Sequence, residues 1–461
     1  MNATMDRLSA QDAGFLRIET PRCPFHVAAL MLLSPPEGAS RTFLRQLARD
    51  CGRLNEILPA FNRQLSQPED PSAAAWVEAT HYRPENHVLH YALPQPGRMQ
   101  DLLQLVTRVH ERPLDRNRPL WELHIIEGLP GGRFALYCKT HHALVDGIGA
   151  MRMIQSLFST DPAAHIDFRR VRRDRRRQHS HHSLFEQLGR VASSTWRQYR
   201  ALPQLSRLLM HMGKDVLTGN TEAMRLPFTA PRSVFNTELE ARRSLTICDL
   251  PLRTVRRIAH QSGGTINDVL LAICGGALRR YLEAQKALPK HSLIVGMPVS
   301  LKSTGEGEGN RLSYILSPFF TTEADDYTRL QRVIRTTRTA KREMAAISVT
   351  AAEDFYALLM LPAVLLTVTG NAERVRPAIN AIFSNVPGAK TPLYLNGAHL
   401  DALYPLSIIT HGMGLNITVV SHAGKLCVGI ASCPERQADI EALPKHMLAS
   451  YHALRRQMAG K

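Results

Sequence analysis

The feature that most constrains the fold is a strand-like run that ends in two adjacent histidines and continues into a turn and a helix. The run 133–140 (RFALYCKT) is rich in β-prone residues and leads into His141 and His142, which are followed by Asp146 and Gly147. Beyond Gly147 the apolar residues recur at helical spacing. A strand end, a tight Asp-Gly turn and a helix can hold a general base in place. The sequence therefore predicts a strand–turn–helix unit with a candidate catalytic site at the turn.

The two histidines are expected to have different roles. Alternate side chains of a strand share a face, so Phe134, Leu136, Cys138 and His142 should point one way and His141 the other, if the strand extends that far. The full pattern of two histidines, three residues, Asp and Gly should arise by chance in on the order of a few in a thousand such chains. A core histidine beside a turn Asp is therefore the less favoured interpretation.

The surrounding pattern predicts an α/β fold of mixed sheets covered by helices. The strand candidate 121–126 is joined to 133–140 through a Pro-Gly-Gly turn, which predicts a hairpin. A buried strand is predicted at 27–33, and helices at 42–54 and 102–110. Residues 1–160 are therefore assigned to an N-terminal domain that contains the histidine motif.

The next segment, 161–235, is predicted to be a basic, partly helical linker. Seven of the nine residues 169–177 are arginine, and a His cluster follows at 179–182. Such a charge run cannot form a core alone. The cluster has no further ligands nearby in sequence, so no metal site is predicted. No aromatic interleaving or known module accompanies the arginines, so no nucleic-acid partner is expected.

Residues 236–461 are assigned to a second α/β domain. Its predicted strands are 293–299, 379–386, 403–409, 415–421 and 425–432, and its predicted helices lie around 266–281 and 439–456. Thr265 and Asp268 form a capping-box-like pair at the start of the first helix, which accounts for Asp268 and leaves Asn267 able to point elsewhere.

The net charge of +17 indicates contact with something acidic, such as an anionic membrane or a phosphorylated substrate. Seven scattered cysteines without a C-x-x-C pair favour free thiols in a reducing cytoplasm. No signal peptide is expected. The apolar stretch 355–370 is short for a bilayer span and contains a proline, which favours a buried or interfacial helix. The expected location is the cytoplasm, with peripheral attachment to the inner membrane or lipid inclusions.

Five further segments carry a resemblance to a known family. The chain resembles the bacterial wax ester synthase/diacylglycerol acyltransferase family in the segment 8–30, the PLW triplet at 119–121, the Asn-Asp pair at 267–268, the run 296–302 and the SNVPG run at 384–388. The resemblance covers most of the chain. It implies two domains resembling the chloramphenicol acetyltransferase fold, with the active site between them.

The resemblance also implies roles for the motif residues. His142 would be the general base, with His141 auxiliary, and Asp146 would fix the turn and orient the imidazole. Gly147 would allow the close turn. The candidate oxyanion donor is Asn267.

Two further residues have open roles. Asn385 is a second candidate for contacting substrate, with a strand-end role as the alternative, and Asp268 is interpreted as a helix cap that could otherwise bind substrate. Cys138 lies roughly 13 Å from His142 if the chain is extended, which is too far for a nucleophile and its base. Direct acyl transfer in a ternary complex is therefore expected.

The expected donor is long-chain acyl-CoA, a co-substrate, with no permanently bound cofactor. The expected acceptors are diacylglycerol and long-chain fatty alcohols, and the expected partner surface is an anionic membrane or lipid droplet. Two alternatives remain open. One is a condensation-type amide synthase, which needs a carrier-protein partner, and the other is a non-catalytic basic lipid-droplet coat protein.

Overall fold

The computed structural model describes residues 6–145, 147–166, 168, 226–301, 311–345 and 375–459. Asp146, most of the predicted linker including the arginine run 169–177, the histidine cluster and the apolar stretch 355–370 lie outside the described residues.

The first half of the chain forms seven of the described strands and five of the described helices. The strands are β1 (Asp6–Arg7), β2 (His26–Ser34), β3 (Arg63–Leu65), β4 (Ala75–Glu78), β5 (Val88–Ala92), β6 (Trp121–Glu127) and β7 (Phe134–His141). The helices are α1 (Ala10–Ile18), α2 (Phe43–Cys51), α3 (Leu54–Ile57), α4 (Met99–His110) and α5 (Gly147–Ser156). The predicted hairpin, the strand at 27–33 and the helix after Gly147 are confirmed. The helix predicted over 42–54 is divided, because α2 ends at Cys51.

The second half supplies the remaining described elements. The strands are β8 (Ser244–Pro251), β9 (Ile294–Leu301), β10 (Arg311–Pro318), β11 (Ala381–Val386), β12 (Tyr394–Leu395), β13 (Ala398–Leu406), β14 (Leu415–His422) and β15 (Lys425–Ser432). The helices are α6 (Leu252–Gln261), α7 (Ile266–Ala284), α8 (Asp326–Ala345) and α9 (Leu443–Ala459). The strands and helices predicted here are found close to their expected positions, whereas β8, β10, α6 and α8 were not assigned from the sequence.

The first large sheet has the strand order β12-β13-β2-β7-β6-β5. Strands β2 and β7 pair antiparallel, with His26 opposite His141 and Leu33 opposite Phe134. Strands β12 and β13 come from the second half of the chain, and Ser34 on β2 donates a hydrogen bond to Asp401 on β13 at 2.7 Å. The sheet that carries the histidine motif is thus completed by two strands from far along the chain. This contribution of the second half to the first sheet was not predicted from the sequence.

The second large sheet has the order β10-β9-β11-β14-β15-β8, and β11 runs parallel to both of its neighbours. Helix α7 packs against this sheet with thirteen of its nineteen residues buried, among them Leu270, Ile273 and Tyr281. Mixed sheets covered by helices confirm the predicted α/β class. A small third sheet has the order β1-β4-β3.

Strand β7 separates two hydrophobic clusters because its side chains alternate. Phe134, Leu136 and Cys138 pack in one cluster with Trp121, whereas Ala135 and Tyr137 pack in another with α4 and the second sheet. The predicted alternation along β7 is therefore confirmed up to Cys138. This two-sided burial fixes the register of the strand that leads to the histidines.

Candidate active site

His141 is the last residue of β7 and is fully buried. Its Nδ1 accepts a hydrogen bond from the Ala143 N–H at 3.0 Å, so the neutral ring carries its hydrogen on Nε2. That Nε2 lies 3.4 Å from Oε1 of Glu19. This distance exceeds that of an ordinary hydrogen bond, so the contact is mainly electrostatic. Both ring nitrogens of His141 therefore face protein groups.

His142 lies in the turn beyond the strand and is half-buried. Its backbone N–H donates to the Phe25 carbonyl oxygen at 2.8 Å, and its ring meets the Phe15 ring edge-on with centroids 4.8 Å apart. Because β7 ends at His141, the expectation that His142 continues the face of Cys138 is wrong for this residue. The two histidines nevertheless differ in burial, since His141 is fully buried and His142 is partly accessible.

Glu19 connects several parts of this turn. Its side chain is 4% exposed, and Oε1 accepts the Phe25 N–H at 2.9 Å. Its Oε2 is bound by Arg116, at 3.0 Å from Nη2 and 3.3 Å from Nε. Burial raises the pKa of Glu19, but the contacts with His141, the Phe25 N–H and Arg116 outweigh it and lower the pKa from 4.5 to about 2. The carboxylate is therefore ionised at neutral pH.

Four site residues were not predicted from the sequence: Glu19, Arg116, Phe15 and Phe25. Three of them belong to the segment 8–30, whose only signal in the sequence was its resemblance to a family. Glu19 lies between apolar residues and a strand, where a buried acid can be expected. Its partner Arg116, however, is 97 residues away. No local pattern joins the two.

Asp146 and Gly147 complete the histidine motif. Asp146 lies outside the described residues, so its orienting role stays a prediction. Gly147 is the first residue of α5, in agreement with a turn at this point.

Cys138 behaves as a core residue. It is 7% exposed, and its Sγ lies 4.0 Å from Thr140 Oγ1. Burial raises the pKa of the thiol to about 12, so the reactive thiolate is scarce at neutral pH. All seven cysteines are buried and unpaired, which confirms the prediction of free thiols.

The structure brings the two candidate asparagines together. The Nδ2 group of Asn385 donates to Oδ1 of Asn267 at 2.5 Å. Asp268 accepts the Thr265 N–H at 2.7 Å and the Thr337 hydroxyl at 2.7 Å, which confirms that it caps α7. An open cavity at this place is lined by Asn267, Asp268, Leu271, Met297, Pro298, Ile315, Thr337, Lys341, Phe383 and Asn385.

The asparagine pair lies close to the domain that carries the histidines. Val386 follows Asn385 directly and packs on the same hydrophobic cluster as Leu144, two residues after His142. This cluster includes Met151 and Ile154 of α5. The two candidate regions therefore meet the same apolar core.

A second buried polar cluster lies along β6 and β7. Lys139 is fully buried, and its Nζ donates to the Val109 and Arg112 carbonyl oxygens at 3.1 and 2.9 Å. Glu122 lies 3.1 Å from this Nζ and also 3.1 Å from Nε2 of His124. Burial lowers the pKa of Lys139. This cluster satisfies buried charges within the sheet.

The described ranges contain neither a cluster suited to a metal ion nor a helix suited to span a membrane. Among these residues no group of three or more His, Cys, Asp or Glu side chains is arranged to hold a metal ion. In the same part of the chain, no helix combines the length and apolar character needed to cross a bilayer. Trp121 of the PLW triplet is fully buried, stacks on Phe61 with centroids 4.0 Å apart and donates to the Phe61 carbonyl. Trp121 therefore serves packing in the hydrophobic core.

Comparison with known proteins gives matches over nearly the whole chain. Residues 8–270 match the wax ester synthase/diacylglycerol acyltransferase catalytic domain, and residues 308–455 match the C-terminal domain of the same family. A probable diacylglycerol O-acyltransferase of Mycobacterium tuberculosis is 36% identical over 97% of this chain and 98% of its own length. The O-acyltransferase WSD of Acinetobacter baylyi is 34% identical over 94% of this chain and 93% of its own length.

Solved structures agree with the sequence matches. A wax ester synthase/diacylglycerol acyltransferase from Marinobacter aquaeolei has 30% identity and a TM-score of 0.79, covering 99% of this chain and 100% of that one. The first condensation domain of the calcium-dependent antibiotic synthetase has 16% identity and a TM-score of 0.57, covering 99% and 97%. The latter likeness concerns the fold alone.

Proposed function

This chain belongs to the wax ester synthase/diacylglycerol acyltransferase family, and from that premise we propose that it transfers a long-chain acyl group from acyl-CoA to diacylglycerol and to long-chain fatty alcohols. The observation that carries the proposal is the separation of the two histidines. His141 is buried with both ring nitrogens facing protein groups, while His142 is half-buried at the end of the strand. An acyltransferase needs one such accessible, fixed base.

In the proposed reaction His142 acts as the general base. It accepts the proton of the acceptor hydroxyl as the hydroxyl oxygen attacks the thioester carbonyl carbon. The tetrahedral intermediate then collapses with cleavage of the C–S bond, and the departing thiolate takes the proton from the imidazolium. The products are an ester and free coenzyme A. Acyl-CoA enters and free coenzyme A leaves in each cycle, so no permanently bound cofactor is required.

A covalent acyl-enzyme is not part of the proposal. Cys138 is the cysteine nearest to the motif in sequence, and its buried thiol has a pKa of about 12. The acceptor and acyl-CoA are therefore proposed to occupy the site together, with a direct attack between them.

The asparagine pair is proposed to serve the oxyanion and the substrate. The hydrogen bond from Asn385 uses the Oδ1 atom of Asn267, so the donating Nδ2 group of Asn267 is not part of it. An amide N–H can stabilise the negative charge that develops on the thioester oxygen. Asn385 is proposed to hold Asn267 in place at the rim of the cavity.

We further propose that the protein works while peripherally bound to an anionic lipid surface. Helix α6 exposes Arg253, Arg256 and Arg257 and contains no acidic residue. The Gly263 carbonyl just beyond α6 accepts a hydrogen bond from Arg338 of α8 at 2.9 Å, so a cation of α8 reaches the end of α6. Lys341 of α8 lines the cavity beside the asparagine pair. A cation beside the cavity would hold its opening near an anionic lipid surface, where acceptors that are insoluble in water are found.

The attachment is tested with vesicles. Each Lys or Arg near an anionic leaflet contributes about 1 kcal/mol, so replacing the three exposed arginines of α6 with glutamine should weaken vesicle binding markedly. A second variant with glutamine for the arginines of 169–177 tests the run outside the described residues. Turnover on a detergent-dispersed alcohol should change little in both. If vesicle binding persists and the Michaelis constant for acyl-CoA rises, these residues bind acyl-CoA instead.

The enzymatic proposal is tested by thiol release from palmitoyl-CoA, with hexadecanol and dipalmitoylglycerol as parallel acceptors. Acceptor-dependent thiol release with formation of the matching ester is expected. Lipid binding without turnover would favour a coat protein. Turnover that requires an acyl group on a carrier protein and an amine acceptor would favour an amide synthase.

A further inference from the structure

The end of helix α1 converges on the histidine turn. The Glu19 N–H caps the helix by donating to the Phe15 carbonyl at 3.1 Å, and Arg116 donates to the Leu16 carbonyl at 2.5 Å. Arg116 therefore holds both the last turn of α1 and the Glu19 carboxylate. This arrangement fixes Glu19 from two directions.

From Glu19 the contacts lead to both histidines. The same Oε1 atom accepts the Phe25 N–H at 2.9 Å and lies 3.4 Å from His141 Nε2. The carbonyl of Phe25 in turn accepts the His142 N–H at 2.8 Å. Glu19 thus reaches the backbone of His142 through one residue, Phe25, and the preceding histidine through its side chain.

The ring of His142 is also in contact with α1. Phe15, four residues before Glu19, meets this ring edge-on at 4.8 Å between centroids and stacks on Phe25 at 5.5 Å. The backbone and the ring of His142 are therefore both placed by residues tied to Glu19.

We propose that Glu19 is a positioning residue for acyl transfer: anchored by Arg116, it fixes Phe25 and His141 and through them sets the place of the His142 imidazole. The inference rests on the proposed function, in which His142 is the base. The positioning role of Glu19 also gives His141 a role. The Nε2–H of His141 is directed at the Glu19 carboxylate, and its Nδ1 accepts a backbone N–H, so the ring holds the start of the turn from both sides. A displacement of about 1 Å in a catalytic group can cost 100-fold in rate.

The test compares Glu19→Gln with the matched control Glu122→Gln. Glu122 is also a partly buried acid on the same sheet, and its bonds are to His124 and Lys139. Both variants lose a buried charge, so both should melt at lower temperature. Glu19→Gln should lower kcat about 10- to 100-fold with the Michaelis constant for palmitoyl-CoA within about twofold of the parent. Glu122→Gln should keep kcat within about twofold.

A milder variant covers the case in which Glu19→Gln does not fold. Arg116→Lys keeps the charge but loses the two-point contact with Oε2, and it should lower kcat about 3- to 10-fold. A loss of kcat no larger than that of Glu122→Gln, measured per folded molecule, would overturn the positioning role. A raised Michaelis constant with unchanged kcat would overturn it as well.

A double variant separates positioning from an independent effect. In the His142→Ala background, adding Glu19→Gln should leave the residual single-turnover rate unchanged, because residues that act as one unit are not additive. Its effect on melting temperature should persist. A further loss of rate would show that Glu19 acts independently of His142. Failure of the parent enzyme to turn over palmitoyl-CoA would instead contradict the proposed function itself.

Discussion

The turn after β7 and the asparagine pair beside α7 both lie near the end of a buried strand, yet they are built from different interactions. The histidine turn is held by an ionised Glu19, whose side chain is 4% exposed, and by Arg116. The asparagine pair is held by a neutral amide bond, and Asn267 itself is exposed. One region relies on buried charge, the other on neutral hydrogen bonds near solvent.

This difference matches the tasks proposed for the two regions. A general base must be aimed at one proton, so small shifts of its ring are costly and a buried ionic network keeps it in place. An oxyanion donor needs only an N–H directed at the developing charge, which an amide near the cavity can supply without a charged partner. Each prediction below tests one side of this contrast.

The largest expected effect is on the histidines. His142→Ala should lower the rate of thiol release by about 10² to 10⁴, because the hydroxyl proton loses its acceptor. His141→Ala should keep substantial activity, because Phe25 still holds the His142 backbone, and it should lower the melting temperature, since a fully buried ring is removed. Steady-state kinetics and thermal melting on both variants measure this. Equal losses of rate in two folded variants would contradict the division of roles.

The next effect concerns the asparagine pair. Asn267→Ala should lower kcat roughly 100-fold, which is the loss expected when one oxyanion donor is removed. The control is Thr265→Ala, which removes the helix cap two residues away and should cost about 1 kcal/mol of stability with little change in kcat. If the two variants have the same kcat, Asn267 has no part in the reaction.

The charged and neutral regions should also differ in their response to pH. The pKa of Glu19 is lowered to about 2 in the folded protein, so its contribution to stability is present above about pH 4.5 and is lost as the pH falls toward 2. The difference in unfolding free energy between the parent and Glu19→Gln should reach roughly 3 kcal/mol near neutral pH and shrink through this window. Denaturant titrations at several pH values measure it.

The corresponding difference for Asn267→Ala should not change over the same pH range, because a neutral amide binds no proton. A constant difference for Glu19→Gln would mean that the carboxylate is not ionised by its contacts with Arg116 and His141.

The smallest effect is expected at Cys138. Cys138→Ser should keep activity within about threefold, and labelled acyl-CoA without an acceptor should leave no acyl group on the parent protein. The reason is that a buried thiol with a pKa of about 12 is a poor nucleophile at neutral pH. Detection of an acylated Cys138 by mass spectrometry would contradict the ternary-complex mechanism.

Several features could be predicted from the sequence because neighbouring residues determine them. The alternation along β7 places Leu136 and Tyr137 in different clusters, and an extended backbone dictates this whatever lies around it. The cap formed by Thr265 and Asp268 involves residues three positions apart, so its geometry follows from the first turn of α7 alone. The same periodicity does not extend to His142, because the strand ends one residue before it.

Other features depend on residues that are distant in sequence, and only the tertiary structure determined them. Arg116 and Glu19 are 97 residues apart, and Asn267 and Asn385 are 118 apart. Strand β13 joins the first sheet through pairs such as Ser34 and Asp401, which are 367 residues apart. Local periodicity states which face of an element is buried but not which other element covers it, because several partners satisfy the same apolar pattern. The partners of the catalytic turn were therefore decided by packing, and the sequence alone could identify only the turn.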